Sequence, residues 1–553
     1  MKNLIALFIL CISTTIAPAQ IDISTDQWQK DLRFLQNTVH TEYPFLFKKT
    51  TKEDFDKKVD MLRSDIPNMK EHEIIIGLAE IVASFGYGHT SLPLYSWRPG
   101  QTFDFHQLPY HLMAFEDGIF IQGTHKDYEN ALGAKVLKIA DTSIEKALDM
   151  VQPVFPSEND MFYKAYGMYY LGVPEILDVQ GVTDGLLDEV TLILEKDGKT
   201  FEQSFSTMET EQFPGQYGFI KEEGQWLDAR DNSEDPYYLR HLDKIYYYEY
   251  LPEEKTVYIR HSQIQDDPEE PIPAFYDRVF QFVDEEDVEK LVIDVRLNGG
   301  GNNYKNKPIV TGIIETEKIN QPGKLFVLIN GRTFSACQNL VNELSNYTNA
   351  VFVGEPTGEN INFYGDNREI TLPNSKIPLR LSYAWWQDKP QWENDDWLAP
   401  HIAVEMSFEE YRTNQDPVLE TALAFDDESF ILDPMQHMTD LFMAGEKEKL
   451  GETAAKIVND PKYRFFDFEG EFNTAGYNVL NSGDAKTAIE IFGFVVRLFP
   501  DSANAWDSFA EAHWKAGEIE KAKEYYNKAI SIDPDGNVGD NARKMLVEIE
   551  KGE

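Results

Sequence analysis

Gly331-Arg332-Thr333-Phe334-Ser335-Ala336-Cys337-Gln338-Asn339 follows an apolar, β-branched run, Leu325-Phe326-Val327-Leu328-Ile329, and leads into a helical pattern from Gln338 to Leu344. A buried strand that turns into a helix leaves unpaired backbone N–H groups at the turn, beside the positive end of the helix dipole. A serine there has two readings. Thr333 or Ser335 caps the helix, or Ser335 attacks a carbonyl whose developing oxyanion the free N–H groups hold. Taken alone, the stretch favours capping, so the surrounding chain has to decide.

Immediately upstream, strands and helices alternate. Thr256 to Arg260 reads as a strand, Phe275, Val279, Phe282 and Val283 mark a helix face, and Lys290 to Arg296 is a second strand. That strand runs into Leu297-Asn298-Gly299-Gly300-Gly301-Asn302-Asn303. Ala350 to Gly354 follows the Ser335 helix as a further strand. Such alternation implies parallel crossovers and a sheet buried on both faces, with ligands at the carboxyl ends of its strands. The triple glycine and Ser335 both lie just past strand ends. Beyond Gly354 the chain reads as β-rich, around Ile370-Thr371-Leu372 and Ile377 to Leu381.

The chain of 553 residues is too long for one core, and two to four domains are expected. A formal charge of -44 argues against nucleic acid or anionic membrane as a partner. The first 19 residues read as a signal peptide: Lys2, the apolar Leu4 to Ile12, and Ala17-Pro18-Ala19 before Gln20. The run is too short to span a bilayer, and Leu10 is too large for a lipoprotein site at Cys11. Cleavage would leave Cys337 as the sole cysteine, with no intramolecular disulfide. No later stretch reads as a membrane span. The expectation is an exported protein, periplasmic or secreted.

Residues 20–102 read as a helical domain, with stripes at Trp28, Leu32, Leu35 and Val39, at Phe55, Val59 and Leu62, and at Ile74, Ile75, Leu78, Ile81 and Val82. It ends at the turn Gly86-Tyr87-Gly88-His89-Thr90, where His89 is more often a polar loop residue than a base. Residues 103–205 read as short strands with one helix, Ser143 to Val151, and a hairpin at Asp197-Gly198. Their order is PDZ-like, without a clear Gly-Leu-Gly-Phe loop. Residues 206–255 read as irregular, with Tyr246, Tyr247 and Tyr248 covering a surface before the core continues to 432. Residues 433–553 carry two tetratricopeptide units. Pro500 and Pro534 stand 34 apart; Trp506, Phe509, Gly517, Ala522, Tyr526 and Ala529 mark one unit, and Phe472, Gly476, Gly483, Ala488 and Phe492 the other. A further helix, Asn541 to Glu548, is expected to pack on them. The tail suggests a protein partner.

Gly88-His89-Thr90, Asp294-x-Arg296-x-Asn298-Gly299-Gly300-Gly301 and Thr333-x-Ser335-Ala336 occur in that order. Together they resemble the C-terminal-processing, or tail-specific, serine peptidases over residues 25–405. The nearer likeness is to the tricorn-core and interphotoreceptor-retinoid-binding-protein-like branch. The resemblance implies a multidomain α+β protein: helical N-terminal domain, PDZ-like domain, ClpP/crotonase-like α/β catalytic core and all-α tail.

One style in that family is a Ser-Lys dyad. Here the segment Gly354-Glu355-Pro356-Thr357-Gly358-Glu359-Asn360 has asparagine at the lysine's place, and no lysine follows before Lys376. The resemblance therefore implies the other style, with Ser335 as nucleophile, His89 as base and Glu393 as orienting carboxylate, Asp395 and Asp396 competing. It also implies an oxyanion hole from Gly300 or Gly299 with Ala336. Some members place a serine before the histidine to relay the hydrogen bond, and Gly88 removes that hydroxyl. Cys337, two residues past Ser335, would point away and pack in the core. No metal-ligand spacing or nucleotide loop is present, so no metal and no cofactor is expected. The substrate would be a peptide or protein. The competing reading is a non-catalytic binding protein of the same fold that holds a hydrophobic ligand or peptide.

Overall fold

The computed structural model describes residues 23–94, 103, 105–209, 214–391, 393–426 and 430–551. The signal-peptide reading and Trp392 lie outside these. The chain divides near residue 425 into two compact units, the short segment 401–403 belonging with the second.

The core of the first unit is the sheet that the alternating pattern predicts. Thr256–His261, Lys290–Asp294, Leu325–Ile329 and Val351–Gly354 pair in parallel in that order, with Ile259 opposite Ile293 and Val327 opposite Phe352. Every residue of Leu325–Ile329 is buried. A strand covered on both faces can be apolar throughout, because helices pack on each side. Ile272–Glu285, Lys307–Glu315 and Ala336–Tyr347 are the helices between these strands.

Tyr246–Leu251 adds an antiparallel strand to this sheet, with Tyr246 opposite His261. The expected irregular surface is therefore a strand. Tyr246 and Tyr247 are buried, their rings beside Phe275 and Tyr258. An alternating aromatic strand on one edge reads, without its neighbour, like a polar aromatic coil.

Residues 106–228 build a mainly antiparallel sheet in the order Trp226–Asp228, Gly118–His125, Lys135–Ile139, Glu189–Lys196, Lys199–Ser206. Besides the expected helix, Ile144–Val151, this region holds two more, Asp160–Tyr166 and Pro174–Val179. They are too short for a helical period to show in sequence. The amino-terminal helices Thr25–Glu42, Lys52–Asp65 and Glu71–Ala83 pack with this layer in one core that includes Trp28, Phe55, Leu78 and Val136. A long hairpin, Asn362–Thr371 with Pro378–Gln387, completes the unit. The Asp31 carboxylate holds its tip by accepting from the Asn374 and Ser375 N–H groups at 2.9 and 2.7 Å.

The second unit is helical. Phe468–Asn481 with Ala485–Leu498 and Ala503–Lys515 with Ile519–Ile532 form two hairpins, followed by Asn537–Lys551. Side-chain bonds repeat at the period of the sequence: Tyr477 to Glu511 (3.0 Å) and Asn541 to Asp507 (3.0 Å) each join residues 34 apart. Pro434–Met443 and Lys447–Val458 precede the two hairpins. Among the described residues no helix is long and apolar enough to cross a membrane.

Candidate active site

The Asp294-to-Gly301 motif is a braced loop. Arg296 grips Asp294 and Asp416 with paired guanidinium bonds of 2.6 to 3.2 Å, all buried. Such bidentate charge-assisted bonds fix orientation as well as distance. Asn298 then sets the loop, donating to the His261 carbonyl (3.0 Å) and accepting from the Gly300 N–H (3.0 Å). Gly300 has φ +104, and a Cβ there would lie 2.6 Å from the Ser335 Cβ. Glycine is required on both counts.

Ser335 sits between strand Leu325–Ile329 and helix Ala336–Tyr347 with φ +57 and ψ -128. A non-glycine residue in that region costs about 1–3 kcal/mol. Neither sequence candidate caps the helix. Ser335 makes no side-chain cap bond, and the Thr333 hydroxyl accepts from the Asn330 N–H at 3.2 Å, bracing the turn instead. The strained turn leaves the Ser335 hydroxyl free to point elsewhere.

It points at His89. The His89 Nε2 to Ser335 Oγ distance is 2.9 Å, across 246 residues of sequence. His89 is held by its own loop: the Thr90 hydroxyl bonds Ser382 Oγ (2.8 Å), and Ser91 pairs with Arg380 on the hairpin. The imidazole lies between two rings, stacked on Phe334 (4.6 Å between centroids, 17° between planes) and facing Phe363 at 6.1 Å. Burial among these rings pushes its pKa down to about 4, against the pull of Glu158 and Asp366. At neutral pH the ring is uncharged and can accept a proton.

The carboxylate that faces this histidine is not Glu393. The Glu393 side chain is exposed, close enough to Lys389 to act on it, while its main-chain carbonyl accepts from Asn362 (2.8 Å). Instead Glu359, fully buried, puts Oε1 3.5 Å from His89 Nδ1. Its Oε2 accepts the Ser335 backbone N–H at 2.6 Å. Asp395 and Asp396 are exposed like Glu393. Glu359 belongs to the same segment, one residue before the Asn360 that takes the lysine's place. The segment continues past Gly358, where a Cβ would collide with the Gly331 carbonyl (2.1 Å), so it is pressed against the serine turn.

Of the residues expected to hold an oxyanion, Gly300 has its N–H committed to Asn298, and the N–H of Ser335 is committed to Glu359. Ala336 is the first residue of its helix, so its N–H has no intrahelical carbonyl to bond. Gly299, the remaining expected donor, is an exposed residue of the glycine loop. Cys337 is fully buried and free, its thiol pushed well up by burial.

Gly88 has a packing reason. A Cβ on it would lie 2.7 Å from Phe334 Cζ and 3.3 Å from Phe162 Cε1. The space of a relay serine is filled by the ring that stacks on His89. Gly88→Ser is therefore expected to cost about 1–3 kcal/mol in urea denaturation, the usual range for overpacking. Phe334→Leu in the same chain should recover part of that loss.

Sequence reasoning also missed Glu158 and Lys49. The Glu158 Oε2 accepts the Gly88 N–H at 2.8 Å, and Lys49 Nζ lies 3.7 Å from Oε1. Neither residue stands in a pattern that a sequence displays.

A family model for the tetratricopeptide repeat matches residues 503–535. No curated protein matches the chain. Among solved structures, a CPAF mutant is 10% identical with a TM-score of 0.50, covering 74% of this chain and 99% of that one. Mature CPAF is 13% identical with a TM-score of 0.48, covering 72% and 96%. A putative peptidase from Parabacteroides merdae is 14% identical with a TM-score of 0.37, covering 74% and 100%. At these identities the likeness is one of fold. The first unit thus shares its fold with the CPAF mutant, and a tetratricopeptide repeat lies in the helical tail.

Proposed function

We propose that the protein is an exported serine peptidase that cleaves peptides or unfolded, C-terminal protein segments through Ser335, His89 and Glu359. The observation that carries this reading is the 2.9 Å contact between His89 Nε2 and Ser335 Oγ, with a buried carboxyl behind the ring. A neutral imidazole takes the hydroxyl proton as Oγ attacks the peptide carbonyl, giving an acyl-enzyme. The tetrahedral oxygen is held by the N–H groups of Ala336 and Gly299. His89 then protonates the leaving amine and activates water for deacylation. In this reading the antiparallel layer of residues 106–228 acts as a PDZ-like platform for the substrate, and the tail recruits a protein partner.

The test is labelling with a fluorophosphonate probe. We expect one adduct on Ser335, lost in Ser335→Ala and reduced in His89→Ala. No adduct on the folded wild-type chain would overturn the peptidase reading and leave the binding-protein alternative.

A further inference from the structure

We propose that the Tyr166 hydroxyl is a catalytic hydrogen-bond donor to the oxyanion formed at Ser335, carried there by the short helix Asp160–Tyr166 of the antiparallel layer. The inference rests on the Ser335–His89 reading above and adds a side-chain donor to its two backbone ones.

That helix is strapped to the catalytic core along its length. At its start Asn159 donates to the Thr357 and Asp396 carbonyls at 3.2 and 2.5 Å. In its first turn the Met161 carbonyl oxygen lies 2.3 Å from where a Cβ on Gly331 would be, so its backbone presses on the serine turn. Near its end Lys164 pairs with Glu355 (2.5 Å) and Glu405 (2.6 Å), and Arg332 donates to the Ala165 carbonyl at 3.0 Å. A helix of seven residues has little stability of its own, so these bonds decide where Tyr166 lies.

It lies at the glycine loop. A Cβ on Gly299 would be 3.5 Å from the Tyr166 hydroxyl oxygen, and among the described residues no other atom beyond the adjoining residues comes within 4 Å of that point. The next glycine is the opposite case, since a Cβ on Gly300 would be 2.6 Å from Ser335 Cβ and 3.0 Å from the Ala336 nitrogen. One glycine is thus closed against the serine turn, and the other opens on a gap that the phenol borders. The phenol and the Ala336 nitrogen flank the same two glycines.

The Tyr166 ring is held by two neighbours, the Arg332 guanidinium at 4.8 Å from its centroid and the Phe162 ring at 4.9 Å. Phe162 stacks on Phe334 (4.5 Å), which stacks on His89, so phenol and base belong to one aromatic array. A guanidinium only donates, so Arg332 leaves the phenol its own proton for another acceptor. Burial pushes the phenol above its ordinary value, against the pull of Arg332, and it stays protonated at neutral pH. The Gly300 N–H is spent on Asn298, and the phenol takes the place of that donor.

No proton leaves the phenol in this role. As Ser335 Oγ bonds the carbonyl carbon, the C=O electron pair goes to oxygen, and the phenol O–H bonds the charge that develops there. A donor whose bond strengthens only as charge appears lowers the barrier without tightening substrate binding.

Tyr166→Phe keeps the ring and removes the hydroxyl. We expect kcat on a fluorogenic peptide to fall by about 10²-fold with KM within about twofold, the usual result of losing one oxyanion donor. A peptidyl trifluoromethyl ketone, which forms a charged tetrahedral adduct with Ser335, should bind about 10²-fold more weakly. The matching product peptide forms no adduct and should bind within about twofold of its wild-type affinity. The urea midpoint should stay unchanged. A fall in kcat of less than about threefold, an equal loss for ketone and product peptide, or a lower urea midpoint would overturn the assignment. Fluorophosphonate labelling of Tyr166→Phe as fast as the wild type would overturn it while the peptidase reading stands. A folded wild-type chain that takes neither the probe nor the ketone would overturn both.

Discussion

Ser335→Ala is expected to lower kcat/KM on a fluorogenic peptide by about 10³-fold or more, because no other group near His89 Nε2 replaces the nucleophile. The chain should still fold. The hydroxyl makes no cap bond to the helix, and the braces of the turn are the Thr333 hydroxyl and the Gly358 N–H to Thr333 carbonyl bond of 3.1 Å. Ser335→Gly separates catalysis from stability more sharply. With φ at +57, serine carries backbone strain that glycine does not. Relief of about 1–3 kcal/mol, less the extra unfolded-state freedom of glycine, leaves a gain of about 1 kcal/mol. An inactive variant with a higher urea midpoint is the expected result. An unchanged or lower midpoint would mean that the turn is not strained in solution.

The second large effect separates two glutamates. Glu359→Gln keeps the shape and one acceptor for the Ser335 N–H but removes the charge that His89 needs when protonated. Loss of the corresponding charge in a triad is worth up to about 10⁴ in kcat. With 3.5 Å between Oε1 and Nδ1, a fall of about 10²- to 10⁴-fold is expected here. Glu393→Gln should stay within about threefold, since that carboxylate is exposed and lies near Lys389. Steady-state kinetics on the two variants decides the matter, and the opposite order would return the role to Glu393.

These two glutamates show where the sequence runs out. Ser335 and His89 are legible because each sits at the end of a regular element, punctuated by glycine. The strand before Ser335 announces itself by an unbroken apolar run, every residue of which is buried. The carboxylate depends on which segment folds back behind the imidazole, and that is settled by contacts between distant parts of the chain. Gly331 and Gly358 meet backbone to backbone, and this close approach brings Glu359 to the serine turn. Glu158 is harder still, since it stands in a loop before a seven-residue helix, Asp160–Tyr166. The tetratricopeptide period was readable because it repeats, and the same 34-residue step reappears in the bonds from Tyr477 to Glu511 and Asn541 to Asp507. The Tyr246–Leu251 strand was not, because its aromatic side chains pack on a neighbour that the local pattern does not name.

The collision between Gly88 and Phe334 has a historical side. The two positions are 246 residues apart in sequence, yet compete for a single volume beside His89. A lineage that exchanges this site for one with a hydroxyl before the histidine must first shrink the ring at 334. The reverse order passes through an overfilled intermediate that costs about 1–3 kcal/mol, a large part of a typical folding margin. The order of substitutions is therefore constrained: the ring has to give way before the hydroxyl can enter.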